Sequence, residues 1–214
     1  PKVPIHGSTQ MSVHSLPGVL LCAAMGISRV VLSRELSRDD IQYICQNAPI
    51  EIEVFAHGAL CMCYSGQCYL SSAIGGRSGN RGQCAQPCRL PYGFNEPAGK
   101  RYPLSLKDNC LADALGEMAE MGVSCLKLEG RMKRPEYVAV ITRIYARLLN
   151  EQRRPTAAER AELEQAFSRS GFTDGYYTGR TGQEMFGYRE EQKENTEWLK
   201  RMRRSYEAVE NSLV

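Results

Sequence analysis

The chain has 214 residues, 43% hydrophobic and 24% charged, with a formal net charge of +3. That length holds one substantial domain or two small ones around a real core, and the composition excludes a disordered chain, whereas the mild positive balance neither demands nor excludes a nucleic-acid partner. No stretch is long and apolar enough for a membrane span, and "PKVPIHGSTQ" lacks the plan of a signal peptide, so the sequence predicts a soluble, cytoplasmic protein with no membrane partner.

Taken in chain order, residues 3 to 150 alternate short β-rich runs with helical periods. Val3 to Ser8 reads as a strand and Leu16 to Met25 as the helix after it. Ile27 to Ser33 is a second strand, followed by a helix that Ser37 can cap, with Asp39 and Asp40 suited to its first turn. Ile50 to Ala56 alternates strictly and is the clearest strand. Tyr102 to Leu106 and Val123 to Leu128 are two more, separated by a helix with Leu111, Leu115 and Met118 on one face. A further helix starts at Pro135 and lines up Val138, Ile141, Tyr145 and Leu148. Strands separated by helices of this length predict βα units and a parallel sheet. Parallel barrels close with about eight strands, so five strands predict the C-terminal part of a (βα)8 barrel with about three units absent upstream. Such a piece exposes a sheet edge, and the expectation is that it aggregates or forms oligomers.

After residue 153 the character changes, and 154–214 is predicted to be a helical extension of a partial barrel domain spanning 1–153. Thr156 to Glu159 is a capping box, and the helix it opens is expected to end near Gly171. "GFTDGYYTGRTG" reads as a Gly-rich loop. A last helix from about Glu190 places Trp198, Met202, Tyr206 and Val209 on one face, and is expected to lead into a further domain.

Five of the nine cysteines lie between Phe55 and Arg89, within a cysteine-rich excursion spanning 57–100. Clustered thiols in a chain without a secretory signal suit a metal or catalysis better than disulfides. Four thiolates can satisfy zinc or the four iron corners of a cubane cluster, but no CxxC pair occurs among Cys61, Cys63, Cys68, Cys84, Cys88 and Cys110, so zinc is the weaker metal. Cys61 and Cys68 from a strand end, Cys84 or Cys88 from the excursion, and Cys110 from the next strand would converge at one mouth of a βα fold. Cys88 and Cys110 compete for the fourth place. Cys22, Cys45 and Cys125 fit apolar patterns and read as core residues.

Glu35, Glu53, His57, Lys107, Asp108, Lys127, Glu129 and Arg131 lie at or near strand ends, where charge is costly unless paired or used. Ion pairs closing the rim would account for Glu35 and Lys107 as well as catalysis does. His57, four residues before Cys61, could shape a cluster's surroundings or relay a proton. Arg77, Arg81 and Arg89 on a Gly-rich backbone suit phosphate or carboxylate groups, and Lys127 joins them as a candidate substrate-binding residue. Neither HExxH nor a nucleophile with a positioned base stands out, which weighs against hydrolysis.

"EVFAHGALCMCYSGQC", "GQCAQPCR", "SLKDNC" and "LKLEGRMK", in that order, resemble the collagenase-like peptidase family U32, and "HGSTQMSVHS", "LSREL", "GYYTG" and "MFG" extend the match over nearly the whole chain. The latter part is most similar to the long members that hydroxylate ribosomal RNA. The resemblance implies a (βα)8 barrel and a 4Fe-4S cluster, with ligands on Cys61, Cys68, Cys84 and Cys110, or Cys88 as the alternative fourth. It implies oxygen-independent hydroxylation of an rRNA cytidine, a tRNA uridine or a quinone precursor, with prephenate as a small anionic hydroxyl donor. It implies roles for Glu129 and Arg131, which fall in a family motif. Proteolysis and a non-catalytic metal module are the alternatives.

Overall fold

The computed structural model describes residues 3–93, 102–130, 133–188 and 196–210. The chain opens with β1 (His6–Gly7) and α1 (Leu16–Ala24), which carries Pro17 in its first turn, where a missing N–H leaves no hydrogen bond unmade. β2 (Arg29–Val31) leads to α2 (Arg38–Asn47). Its start is a reciprocal cap: the Ser37 hydroxyl accepts from the Asp40 N–H at 3.3 Å, and the Asp40 carboxylate accepts from the Ser37 N–H at 3.2 Å. β3 (Glu51–Ala59) follows, then a long loop containing α3 (Leu70–Gly75). β4 (Asp108–Cys110), α4 (Leu115–Glu120), β5 (Cys125–Leu128) and α5 (Pro135–Glu151) complete the first part. α6 (Ala157–Ala166), β6 (Phe172–Thr173), α7 (Gly175–Thr178) and α8 (Thr196–Glu210) form the rest.

The architecture is α/β with a mostly parallel sheet ordered β1-β2-β3-β4-β6, and with β5 paired to β3. β3 is long enough to serve three neighbours. Glu53 pairs with Val31 of β2 and Cys125 of β5, so those strands flank it on opposite edges. His57 pairs with Leu128 of β5 and Cys110 of β4, so β4 takes up the β2 edge beyond the end of β2. That pairing is antiparallel.

Alternation along β3 divides its side chains between two faces. Ile52 and Val54 pack with Val19, Cys22, Ile41 and Ile44 of α1 and α2. Ala56 packs with Val140, Ile141, Ile144, Tyr145 and Leu148 of α5, and with Trp198 and Met202 of α8. Each such aliphatic side chain contributes about 1.5–3 kcal/mol by leaving water. Phe55 turns the other way, into a smaller cluster with Leu60, Leu106 and Met185. Glu53 and Lys127, at like-facing positions of β3 and β5, share that second face, here called the open face.

Several expectations need correction. Tyr102 to Leu106 is not a strand; the chain pairs only two residues later, at Asp108, because Leu106 instead bridges Phe186 while Lys107 donates to Met185. The sheet is not wholly parallel, since β4 is reached from β3 by a loop rather than a crossover helix. Leu111 precedes α4 rather than lying in it. Val138 is exposed, and Tyr137, Val140 and Ile144 take the buried stripe of α5. α6 stops at Ala166, where Phe167 turns extended. The Gly-rich stretch after it supplies β6 and α7. α6 and α8 pack on α5, so the tail shares the α5 core. The expected start of the last helix near Glu190 lies outside the described residues. No helix among the described residues is long and apolar enough to cross a membrane.

Candidate functional site

The parallel strands β1, β2, β3 and β5 all deliver their C-terminal ends to one side of the sheet, and the cysteine loop is tied down there. Glu35, just beyond β2, accepts from the Ser65 N–H and, at 2.9 Å, from the Ser65 hydroxyl. Ser12 donates to the Ser65 carbonyl at 2.7 Å and accepts from Gln67 at 2.9 Å. Gly66 adopts φ +78, and a Cβ there would stand 2.5 Å from the Ser12 hydroxyl, so only glycine lets the loop lie against the β1–α1 connection. Glu35 thus holds the loop through Ser65, and no ion pair engages it among the described residues.

The loop carries Cys61, Cys68, Cys84 and Cys88. Burial raises the Cys88 pKa, Arg89 opposes the rise, and the other three cysteines add to it. Cys63 is raised by burial and by Cys68 and Cys61. The Cys84 sulfur accepts from the Gln86 N–H at 3.3 Å and from the Ser71 hydroxyl at 3.8 Å, while Ser71 itself accepts from the Ala85 N–H at 3.0 Å. A set of soft thiols in one loop with such donors fits an iron–sulfur or other thiolate-bound centre. Among the described residues no three Cys, His, Asp or Glu side chains already stand at metal-binding separations.

Cys110 occupies a different place. Paired with His57 across β3 and β4, it faces α5, where its sulfur lies 3.7 Å from the Tyr145 hydroxyl. His57 points the same way. It is fully buried between Tyr137, Tyr145 and Phe172, its Nδ1 is 3.2 Å from the Tyr145 hydroxyl, and its Nε2 has no hydrogen-bond partner. Burial, and secondarily Lys133, push its pKa down to about 3. The Tyr145 hydroxyl also donates to the Ala56 carbonyl at 3.2 Å. Only three residues of sequence separate His57 from Cys61, yet one lies in an aromatic box and the other is exposed.

The other candidates divide likewise. Arg89 is half-buried and its guanidinium is committed to Ser105 at 3.0 Å, the Leu106 carbonyl at 2.6 Å and the Leu60 carbonyl, so it staples the loop to the sheet. Arg77 donates to the Gln83 carbonyl at 3.0 Å, and Arg81 is exposed at the end of a 3-10 turn, Gly79–Arg81. Lys107 is half-buried beside Gly187. Glu129 donates its N–H to the His57 carbonyl at 2.9 Å, and its Cβ fills the space beside Gly58, whose φ of +124 and lack of a side chain permit the approach. Lys127 reaches the open face. Arg131 lies outside the described residues.

Two features escaped the sequence reading. Arg34, within the quoted "LSREL", lays its guanidinium 4.5 Å from the Phe55 ring centroid. Asp108 and Arg169 form a buried ion pair at 2.5 Å, and burial, then Arg169, lower the pKa of nearby Arg89 against the opposing effect of Asp108. An alternation pattern in β2 could have exposed Arg34; nothing local relates Asp108 to Arg169, 61 residues apart.

These features define an α/β protein whose C-terminal strand ends carry a cysteine-rich loop. The family model for Peptidase family U32 matches residues 1–187, and the chain belongs to that family. It is 39% identical over 186 residues to the 23S rRNA 5-hydroxycytidine C2501 synthase of Escherichia coli, covering 85% of this chain and 28% of the relative. It is 38% identical over 161 residues to the tRNA hydroxylation protein P1 of Bacillus subtilis, covering 70% and 38%. It is 35% identical over 201 residues to a collagenase of Porphyromonas gingivalis, covering 83% and 48%. The chain thus spans less than half the length of these relatives. No solved structure matches it.

Proposed function

We propose that this chain is part of an enzyme that hydroxylates an RNA base without molecular oxygen, using a 4Fe-4S cluster held in the cysteine loop. The density of Cys61, Cys68, Cys84 and Cys88 along one loop fixed by Glu35 and Arg89 carries the reading. Relatives named for rRNA and tRNA hydroxylation support the substrate class. Cys110, the fourth ligand the resemblance implies, has its sulfur 3.7 Å from the Tyr145 hydroxyl, and Cys88 is the alternative fourth. When bound, the cluster would supply redox or Lewis-acid chemistry toward the hydroxyl donor. Around it, Arg89 keeps the loop closed on the strand ends, while Arg77 and Arg81 are exposed and available to RNA phosphates. The mostly parallel sheet supports placing these strands in the C-terminal part of a (βα)8 barrel, because the outer edges of β1 and β5 have no strand partner among the described residues.

The peptidase alternative rests on the collagenase relative. It is the weaker reading because the buried, neutral His57 is bonded to Tyr145 and turned away from the loop thiols, so it forms no Cys–His nucleophile pair with them.

Anaerobic purification of the full-length protein with iron, sulfide and zinc quantitation tests the reading. About four irons per chain are expected. Iron should be lost in Cys61→Ser, Cys68→Ser and Cys84→Ser, and comparing Cys88→Ser with Cys110→Ser assigns the fourth ligand. Mass spectrometry of RNA from a deletion strain should then show a missing hydroxylated base. Zinc or no metal, with gelatin hydrolysis, would return the peptidase to the front.

A further inference from the structure

Residues 54–93, from the second half of β3 through the cysteine loop, hold three arginines and no aspartate or glutamate. Arg89 is committed to Ser105 and two carbonyls, but Arg77 and Arg81 are exposed, and no carboxylate engages either among the described residues. A cationic segment without a counter-charge of its own is the electrostatic footprint of a polyanion.

The same loop offers aromatic surface. Tyr64 is 75% exposed and Tyr69 67%. Other tyrosines of the loop and the tail are used: Tyr92 donates to the Pro87 carbonyl at 2.9 Å, Tyr177 donates to Glu117 at 2.7 Å, and Tyr176 packs on Phe55, Leu60, Leu106 and Met185. The two exposed rings stand on a fixed backbone. The Tyr64 carbonyl accepts from the Gln67 N–H at 3.0 Å, closing a turn whose Ser65 is held by Glu35 and Ser12, and Tyr69 opens α3, its carbonyl accepting from the Ala73 N–H at 2.9 Å. The Asn80 amide donates to the Gly66 carbonyl at 2.9 Å, and a Cβ on Gly79 would lie 3.9 Å from the Cys68 carbonyl oxygen, so the turn that carries Arg81 rests against the segment between the two tyrosines. On the other flank, burial and then Glu35, Cys61 and Tyr64 raise the Tyr176 pKa, which sets Tyr64 near Cys61.

We infer that Tyr64 and Tyr69 form a stacking platform for unpaired RNA bases, with Arg77 and Arg81 on the flanking phosphates. Every base presents a π face, so two exposed tyrosines hold a single strand with little sequence preference, whereas a duplex keeps those faces in its own stack. Arginine serves the phosphates by its planar fork of donors. Because the backbone beneath both rings is already hydrogen-bonded in place, ordering it on binding costs little. The choice of RNA as the polyanion rests on the hydroxylase reading; the union of exposed rings and unopposed arginines belongs to this loop. The platform would hold the unpaired segment around the base to be modified, beside Cys61.

The test is fluorescence anisotropy of the full-length, metal-loaded protein with a labelled, mixed-sequence RNA of about twelve nucleotides, offered as a single strand, as a duplex and as an abasic strand. The single strand should bind more tightly than either of the others. Tyr64→Ala and Tyr69→Ala should each weaken it about tenfold, while Tyr64→Phe and Tyr69→Phe keep the ring and the affinity. Tyr64→Leu, which keeps apolar bulk without a π face, should behave as the alanine variant and carries the test if that variant fails to fold. Arg81→Gln should lower the slope of log affinity against log salt by about 0.7, one phosphate contact on a single strand. Metal content and melting temperature should hold throughout. Full affinity in both alanine variants, or equal binding of the abasic strand, overturns the platform, as does a tyrosine variant that loses only self-association, which would assign the rings to a protein contact. Ring-dependent RNA binding in a protein without iron would keep the platform and remove the cluster chemistry; iron and a missing hydroxylated base, with RNA affinity indifferent to both tyrosines, would do the reverse.

Discussion

The two faces of β3 set a closed environment beside an open one. On the helix side His57, Tyr145 and Cys110 sit among α5 aromatics with their polar atoms turned on one another. On the other side, and at the strand's C-terminal end, lie Arg34 over Phe55, Lys127 and the half-buried or exposed cysteines of the loop. The first arrangement is what a core does with polar groups it must bury, and the second is what a site does with groups it must offer. A histidine and a cysteine four residues apart need not be partners when the strand between them ends.

Substitutions on the two faces should therefore have opposite signatures. The largest effect is expected on the loop: Cys61→Ser, Cys68→Ser or Cys84→Ser should abolish iron binding in the full-length protein with the far-ultraviolet circular dichroism unchanged. Iron retained at the wild-type level would break the comparison. On the helix side, Ile144→Ala should cost about 2–5 kcal/mol in denaturant unfolding, because it opens a cavity in the α5 core, and should leave the affinity for iron alone.

His57 offers a sharper probe. Its folded pKa lies well below the unfolded value of 6.5, so the neutral form is the one the fold accepts. Stability from this group is complete above about pH 6.5 and falls as pH drops toward 3, at about 1.4 kcal/mol per pH unit. His57→Gln should flatten that acid limb by one proton, read from unfolding midpoints between pH 7 and 4. An unchanged slope would mean the ring is open to water. The smallest expected effect is at the α6 cap, where Thr156→Ala should cost about 1 kcal/mol in the same unfolding measurement, without altering either face.

Much of this was legible beforehand. The Ser37 and Thr156 caps, β3 and α5 follow from spacing and side-chain type within a few residues, and so does the density of thiols between Cys61 and Cys88. The Tyr102 strand failed because local β-propensity does not reveal that Leu106 and Lys107 are claimed by Phe186 and Met185, about eighty residues on. Of the predicted α5 stripe Ile141, Tyr145 and Leu148 are buried as expected and only Val138 is exposed, because the buried face of α5 runs through Tyr137 and Val140 instead.

The sequence by itself determined most of the helices and the strands up to β3, since capping, periodicity and alternation act over a handful of residues. It also determined the chemistry available at the strand ends, because residue type is read directly. Tertiary structure decided that Glu35 holds Ser65, that Cys110 and His57 face the helices, and that Arg34 lies over Phe55. Those facts depend on strand register and on which edge of β3 each neighbour takes, and a register is set by side chains meeting across many tens of residues.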